Sequence, residues 1–207
     1  MNDTFTRETG NGWGSANTGG AYTAAGNSSS LSVDGSAGHM LISMVGQSRG
    51  ALINSVSKRD VDIRFKVSTD KPAANGKFYV YGVARKIGTS EYRPRLIFNS
   101  NGTVQVGASM LVNGTEQQIG SAVTVAGLSQ SQPIMFRAMV TGANPTTIKV
   151  KAWQAGSAEP STWQFTATNS SAGLQAAGTL GIRIFVSAAV TNAPIDFKFD
   201  DYKVIAQ

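Results

Sequence analysis

Apolar residues recur at every second position in five separate segments, and this alternation restricts the fold more than any other feature. The segment Asp60–Ser68 reads DVDIRFKVS, with apolar side chains on one face and charged side chains on the other. The other four rows start at Ile134, Ile148, Leu180 and Ile195. Because successive side chains of a strand point to opposite faces, each row predicts a half-buried antiparallel strand.

Turn signals separate the apolar rows. Asn101-Gly102 and Asn113-Gly114 each lie between two short apolar runs, and Asn75-Gly76 precedes a long strand that extends to Ile87. Asn-Gly favours a tight hairpin because both residues tolerate positive φ. Helical spacing is absent apart from a short stretch near residues 171–177. We therefore predict an all-β, two-sheet antiparallel jelly-roll sandwich with almost no helix.

The chain has 207 residues, 41% of them hydrophobic and only 14% charged. This length supplies one large core, and no linker divides it, so a single jelly-roll domain over residues 1–207 is predicted. Residues 10–30 are rich in Gly, Ser, Asn and Thr but contain Trp13 and Tyr22. Two large aromatic side chains favour an ordered loop over a linker.

Several classes of function are disfavoured by composition. Cysteine is absent, which excludes disulfides, thiolate zinc sites and thiol nucleophiles. No apolar run approaches the roughly 20 residues of a membrane span, so membrane insertion is not expected. The net charge is +6, but the basic residues are scattered, and nucleic-acid binding is not expected. The residues after Met1 lack the basic and apolar regions of a signal peptide.

Three groups of residues resemble the concanavalin A-like (laminin-G-like) jelly-roll domains of secreted actinobacterial proteins and of minor tail proteins from actinobacteriophages. The resemblance spans the chain and implies two curved antiparallel sheets that bind ligands at the concave face or at rim loops. The matching residues are Asp3-Thr4-Phe5-Thr6-Arg7, Gly12-Trp13-Gly14 and Gly19–Thr23 at the start, Gly142–Thr147, Lys151–Trp153, Gly156, Glu159-Pro160 and Trp163-Gln164 in the middle, and Phe199–Val204 at the end.

This resemblance implies a non-catalytic adhesion module, most simply a phage minor tail protein or another virion surface protein. Its partners would be a host cell-surface polysaccharide or other virion proteins. The lack of an export signal favours the virion as its location. One alternative is a carbohydrate-binding accessory domain within a larger secreted bacterial glycoside hydrolase, and another is a purely structural decoration protein. Related tail proteins are often trimers, which leaves a homo-oligomer open.

The acidic residues do not form a recognisable catalytic pattern. Hydrolases of this fold typically carry a cluster of acids along one strand, and glycoside hydrolysis needs two carboxylates at a fixed separation. Asp60 and Asp62 have a suitable spacing, but they share their strand face with Arg64 and Lys66, which indicates a charged solvent face. His39 is the only histidine, and no Gly-x-Ser-x-Gly motif accompanies it. We therefore expect no enzymatic activity.

Two neighbouring segments combine tyrosine and arginine. Alternation places Tyr79, Tyr81 and Arg85 on one face of a strand, and Arg93 and Arg95 on one face of the next. Aromatic faces and polar forks suit glycans, and arginines also suit carboxylates or phosphates of an anionic polymer. We predict a glycan-binding patch here. The alternative is an ordinary sheet face with cation–π packing.

Two further expectations concern the motifs themselves. Trp153 and Trp163 are interpreted as core residues, with sugar platforms as the alternative. Related jelly rolls often hold a structural Ca²⁺ where the first and last strands meet. By position, Asp3 and Asp201 match these ligands, and loop carbonyls would supply the rest. The alternative is that Asp200-Asp201, the acidic pair near the C-terminus, caps strand ends or pairs with Arg7 or Lys203. No other cofactor is expected.

Overall fold

Sixteen strands form two antiparallel sheets that pack face to face in a computed structural model, which describes all residues 1–207. Numbered in chain order, the nine-stranded sheet contains β1 (Asn2–Asp3), β2 (Glu8–Thr9), β4 (Leu31–Asp34), β5 (Gly38–Ile42), β7 (Val61–Thr69), β12 (Ile134–Thr141), β13 (Thr146–Gln154), β14 (Phe165–Asn169) and β16 (Ile195–Ala206). The seven-stranded sheet contains β3 (Thr23–Ala25), β6 (Ser48–Lys58), β8 (Lys77–Ile87), β9 (Ser90–Asn99), β10 (Val104–Val112), β11 (Thr115–Thr124) and β15 (Gly178–Val186). The only helical elements are two single 3₁₀ turns, Ser28–Ser30 and Ala172–Leu174.

The strand orders confirm the predicted sandwich. The larger sheet runs β14-β13-β12-β7-β16-β5-β4-β2, with β1 also paired to β16, and the smaller runs β11-β10-β9-β8-β15-β6-β3. All five alternating rows coincide with strands. In β7, for example, Val61, Ile63, Phe65 and Val67 are fully buried. The Asn113-Gly114 turn joins β10 to β11 with φ of 49° and 85°, the left-handed conformation that such a hairpin needs.

Aromatic side chains hold the two sheets together. Forty-three buried residues form one hydrophobic cluster between the sheets. Within it the Phe65 and Phe136 rings stack with centroids 4.6 Å apart, and Phe199 meets Phe65 edge to face at 5.7 Å. Burial of each such side chain stabilises the fold by about 1.5–3 kcal/mol, so no disulfide is needed at this size.

The opening motif is structural. Arg7 binds both carboxylate oxygens of the buried Asp3 at 2.8 and 2.9 Å, and its Nε donates to the carbonyl of Trp13 at 2.7 Å. The phenol of Tyr22 donates to Asp3 at 2.9 Å. Trp13 is 1% exposed and its indole N–H donates to the carbonyl of His39 at 2.9 Å. The Gly-rich segment is therefore an ordered loop, as predicted.

Arg85 does not share a face with Tyr79 and Tyr81, and that prediction is wrong. A β-bulge interrupts the pairing of β8 with β9 after Ala84, and Arg85 has a φ of 48°. The extra residue reverses the alternation, so the Arg85 side chain is fully buried at the end of the sandwich.

The buried guanidinium of Arg85 holds several loops together. It donates to the carbonyls of Arg59 and Gly142 and to the hydroxyl of Thr146, each at 2.6 Å. Its only acidic partner is Asp60, at 3.2 Å. Asp60 in turn accepts from the backbone N–H of Gly142 at 2.8 Å. This pair therefore joins the start of β7, the bulge of β8 and the turn between β12 and β13.

His39 lies between two carboxylates on the outer face of the nine-stranded sheet. Its Nδ1 is 2.8 Å from Asp196 and its Nε2 is 3.0 Å from Asp34. A carboxylate can only accept, so the ring satisfies both neighbours only when both nitrogens carry protons. Burial lowers the pKa of His39, but the hydrogen bonds to Asp196 and Asp34 outweigh it and raise the pKa above its usual value of 6.5.

Replacing Asp60 with Asn should destabilise the fold by about 3 kcal/mol, because the buried Arg85 loses its only counter-charge. Chemical denaturation measures this as a lower free energy of unfolding. Glu8→Gln is the matched control: it makes the same change of charge at an exposed residue and should shift stability by less than about 0.5 kcal/mol. Equal effects of the two substitutions would contradict the role assigned to Arg85.

The stabilisation from His39 should be present below about pH 6.5 and be lost as the pH rises through the raised folded-state pKa. Partly exposed ion pairs contribute at most about 1 kcal/mol, which corresponds to about 2–4 °C in the melting temperature. A series of melting curves from acidic to alkaline pH should show this decline. His39→Gln removes the only histidine and should flatten the profile; an unchanged slope would contradict the prediction.

Candidate ligand-binding groove

The outer face of the seven-stranded sheet collects the remaining predicted glycan-binding residues. Tyr79 and Tyr81 of β8 and Arg93 and Arg95 of β9 point away from the core, and Tyr81 pairs directly with Arg95 across the two strands. Side chains of β9 on the opposite face point inward and are buried: Tyr92, Leu96 and Phe98. The structure thus brings four of the five predicted residues together.

An open groove of about 350 Å³ runs across this face. Its aromatic side is formed by Tyr79, Tyr81 and Phe185, with the two tyrosine rings nearly parallel and 6.1 Å apart and Phe185 of β15 6.0 Å from Tyr79. Its polar lining is Arg95, Glu116, Gln118 and Ser187. The groove therefore offers flat apolar surfaces beside hydrogen-bonding groups.

Cation–π contacts order the same side chains. The guanidinium of Arg93 lies 5.2 Å from the centre of the Tyr81 ring, and that of Arg95 lies 5.6 Å from the centre of the Tyr79 ring. Tyr81 is only 3% exposed as a result. The alternative interpretation, cation–π packing on a sheet face, therefore describes part of the patch, while Tyr79 and Phe185 border the open groove.

Two glutamates neutralise much of the positive charge. Glu91 is 1% exposed and accepts a hydrogen bond from Nε of Arg93 at 2.7 Å. The Nε of Arg183 lies 2.9 Å from Glu91 as an ion pair. Glu116 accepts from Nη1 of Arg93 at 2.8 Å and from Nη1 of Arg95 at 3.0 Å. The hydroxyl of Ser109 also donates to Glu116, at 2.7 Å. Both carboxylates are thus held by arginines.

Arg95 keeps hydrogen-bonding capacity that the protein does not use. Its one hydrogen bond runs from Nη1 to Glu116, and its buried Nε has no acceptor. The neighbouring Tyr81 phenol has a pKa above its ordinary value of 10.0, mainly because it is buried and secondly because of the negative charge of Glu116. The Tyr81 phenol therefore remains neutral and can donate or accept a hydrogen bond.

Asp60 and Asp62 are occupied by structural ion pairs. Asp62 is 2% exposed and binds Nη2 of Arg137 at 2.6 Å and Nη2 of Arg64 at 3.2 Å. Asp60 belongs to the buried Arg85 contact. Both carboxylates are thus engaged with arginines, which matches the interpretation of a charged face.

The surroundings of Asp3 and Asp201 do not fit a shared calcium ion. Both oxygens of Asp3 are held by the guanidinium of Arg7, which occupies the side where a cation would bind. Asp201 is exposed and lies 3.5 Å from Lys66. No group of three or more His, Cys, Asp or Glu side chains is placed to hold a metal ion. Arg7 thus provides the positive charge that Asp3 needs, while Asp200 and Asp201 pair with Lys66 and not with Arg7 or Lys203.

Trp153 and Trp163 are not core residues, contrary to expectation. Both are only partly buried, and Trp163 lies against the outer face of the nine-stranded sheet. Its ring centre is 4.8 Å from Nζ of Lys151 and 5.3 Å from the guanidinium of Arg137. Both tryptophans therefore lie on the side of the nine-stranded sheet, whereas the groove is on the seven-stranded sheet. Trp163 forms a separate cation–π contact there.

Sequence reasoning missed Glu91, Glu116, Phe185 and Ser187 as members of the groove and its ion pairs. Alternation in β15 does place Arg183 and Phe185 outward, because Leu180, Ile182 and Ile184 point inward. Only the strand order β11-β10-β9-β8-β15 brings them beside β8. The pairing of β15 with β8 places Arg183 beside Tyr81 and Phe185 beside Tyr79. These partners are more than a hundred positions apart in the chain, so no local pattern indicates the pairing.

Comparisons with known proteins identify the fold. No family model matches the chain, and no curated protein matches it. Among solved structures it is similar to the GH43 protein BlXynB of Bacillus licheniformis (13% identity, TM-score 0.62), covering 100% of this chain and 39% of that one. It is also similar to the Bacillus licheniformis β-glucanase (11%, TM-score 0.60, 100% and 97% covered). A third is the legume lectin-like domain from Entamoeba histolytica (9%, TM-score 0.58, 90% of each chain).

These similarities show a concanavalin A-like, lectin-like jelly roll. At such low identity they establish the fold alone, and the chain spans about two fifths of the GH43 protein's length. The structure contains no helix with the length and apolar character to cross a membrane.

Calcium should not change the stability of this protein. Because Arg7 already pairs with Asp3, we expect the same melting temperature with millimolar CaCl₂ and with EDTA. A parallel measurement on Arg7→Gln should show a clear loss of stability in both conditions, since Asp3 is left buried without a counter-charge. A calcium-dependent rise in the melting temperature of the wild-type protein would contradict this assignment.

Proposed function

We propose that this protein is a non-catalytic carbohydrate-binding module whose ligand lies in the groove on the seven-stranded sheet. The observation that carries the proposal is the juxtaposition, in one open groove, of Tyr79 and Phe185 with Arg95, Gln118 and Ser187. Aromatic faces pack against the C–H surfaces of sugar rings, and the polar groups meet hydroxyls. The lectin-like and glucanase neighbours, which share the fold, support a carbohydrate ligand.

The non-catalytic part of the proposal rests on the carboxylates. A glycosidase needs one carboxyl group that donates a proton and a second that acts as nucleophile or base. Near the groove the acids are Glu91 and Glu116, and each is bound by two arginines. Both carboxylates are engaged in these ion pairs, and neither is left free of arginine contacts.

For the carrier of this module we propose a virion surface, with the host cell-surface polysaccharide as the target. The motifs shared with phage minor tail proteins support this choice. The alternative carrier is a larger secreted glycoside hydrolase, and the coverage of part of a GH43 protein supports that alternative. Immunogold labelling of particles separates the two carriers, because only a virion protein labels intact particles.

The double substitution Tyr79→Ala/Phe185→Ala should weaken polysaccharide binding at least ten-fold, since it removes the exposed apolar surfaces of the groove. Affinity electrophoresis against a panel of soluble polysaccharides and binding to intact cell walls measure the effect. Product analysis on the same polymers should show no cleavage.

Trp163→Ala is the matched control, because it removes an aromatic side chain from the opposite sheet. Loss of binding in Trp163→Ala alone would move the site to the nine-stranded sheet. A folded wild-type protein that binds no polymer and no cell wall would refute the proposed function and favour a structural decoration protein.

A further inference from the structure

We infer that the groove selects an acidic polysaccharide, with the carboxylate of a hexuronate bound by Arg95 and the chain extending along β8 toward Lys77. This inference rests on the proposed function and adds the chemical class of the ligand. Four observations support it: the unused donors of Arg95, the net charge of the groove, the position of the aromatic rings, and a second polar depression beside the first.

Arg95 is built to receive an anion. Its Nη1 donates a hydrogen bond to Glu116 at 3.0 Å. The residue is only 7% exposed, and its buried Nε has no acceptor within the protein. An unsatisfied buried donor is unfavourable, and a ligand oxygen that accepted its hydrogen bond would remove that penalty. The Nε and Nη2 protons form the planar edge that pairs with both oxygens of a carboxylate. Arg95 also lines the groove.

The local charge also favours an anion. Arg93, Arg95 and Arg183 carry three positive charges, and Glu91 and Glu116 carry two negative charges, so one positive charge is left over. These ions are mostly buried, so solvent screens the excess less than it would on an open surface. A neutral sugar would leave this charge uncompensated.

The aromatic rings favour a charged sugar ring over a polyol phosphate. Tyr79 lies under the Arg95 guanidinium at 5.6 Å, and Phe185 is 6.0 Å from Tyr79. In a hexuronate the carboxylate is attached directly to the ring, so one residue can meet Arg95 and an aromatic face together. A polyol phosphate carries its charge on a flexible chain without such a ring. The groove volume of about 350 Å³ lies at the low end for ligand sites and suits one or two sugars.

A second depression of about 420 Å³ continues the same face. Lys77 lies two residues before Tyr79 on β8, so the two side chains share a face about 7 Å apart. Lys77 is exposed and has no acidic partner. Its backbone N–H donates a hydrogen bond to the hydroxyl of Ser187, a groove residue, at 2.9 Å. The remaining lining is entirely polar: Asn99, Ser100, Asn101, Thr103, Gln105 and Thr124. A polymer that fills the groove can therefore place its next acidic residue near Lys77.

The test compares two polyuronates, polygalacturonate and alginate, with their methyl-esterified forms, which keep the backbone and remove the charge. Isothermal titration should show at least ten-fold tighter binding of one acidic form than of its ester. Arg95→Lys keeps the charge but removes the planar edge, and should lose at least ten-fold in affinity for the acid while the weak ester binding is unchanged. Lys77→Gln should lose about three-fold.

Lys203→Gln is the control, because it removes an exposed lysine from the opposite sheet and should leave binding unchanged. Glu116→Gln should strengthen binding of the acid, because it adds one positive charge to the groove, whereas a neutral ligand that donates a hydroxyl to Glu116 would bind more weakly. Melting curves confirm that each variant is folded.

Three results would overturn the inference. Equal affinity for acid and ester, or neutral polymers bound in preference to both polyuronates, would assign a neutral ligand and leave the proposed function intact. Tighter binding of polyglycerol phosphate than of either polyuronate would assign a phosphate ligand. Binding of no polymer at all would refute the proposed function together with the inference.

Discussion

Each strand divides its residues between a dry interior and a solvent face, and the other features of this molecule depend on that division. The interior rows are aliphatic and aromatic and form one cluster of 43 buried residues. Because their burial supplies the stability, the outer faces are free to carry polar and charged groups. The seven-stranded sheet uses its outer face for a groove, and the nine-stranded sheet uses its own for ion pairs such as that of Asp62 with Arg137.

The division is broken at the bulge of β8, and this break is itself structural. At the bulge after Ala84 the chain turns Arg85 from the solvent face into the end of the sandwich. A buried guanidinium is costly unless every donor is satisfied. Here three loops supply carbonyl, hydroxyl and carboxylate acceptors, so the residue fixes the loops relative to one another. This explains why an arginine occurs in an otherwise apolar end of the core.

The sequence was informative where local periodicity decides the outcome and uninformative where distant contacts do. Alternation was sufficient for β7, β12, β13, β15 and β16, and the Asn-Gly pairs correctly marked the hairpins. Arg85 was misplaced because nothing local distinguishes a bulge from a regular strand. Asp3 was matched to a calcium ligand by its position in the motif alone, and the sequence did not indicate its ion pair with Arg7 four residues later. Phe185 required the pairing of β15 with β8, which joins residues about a hundred positions apart, whereas Glu116 reaches the groove through consecutive hairpins.

The ion pairs of the groove also bear on how it can recognise a ligand. Arg93 and Arg95 are each held between a tyrosine ring and a glutamate, so their side chains are largely ordered before any ligand arrives. Ordering a long side chain during binding costs about 0.5–1.5 kcal/mol, and here the fold has already met most of that cost. A rigid arginine edge can discriminate a planar carboxylate from a hydroxyl, because only the carboxylate satisfies two parallel donors. Under the proposed function the two glutamates would serve recognition, since they fix the arginines and still leave one positive charge for the ligand.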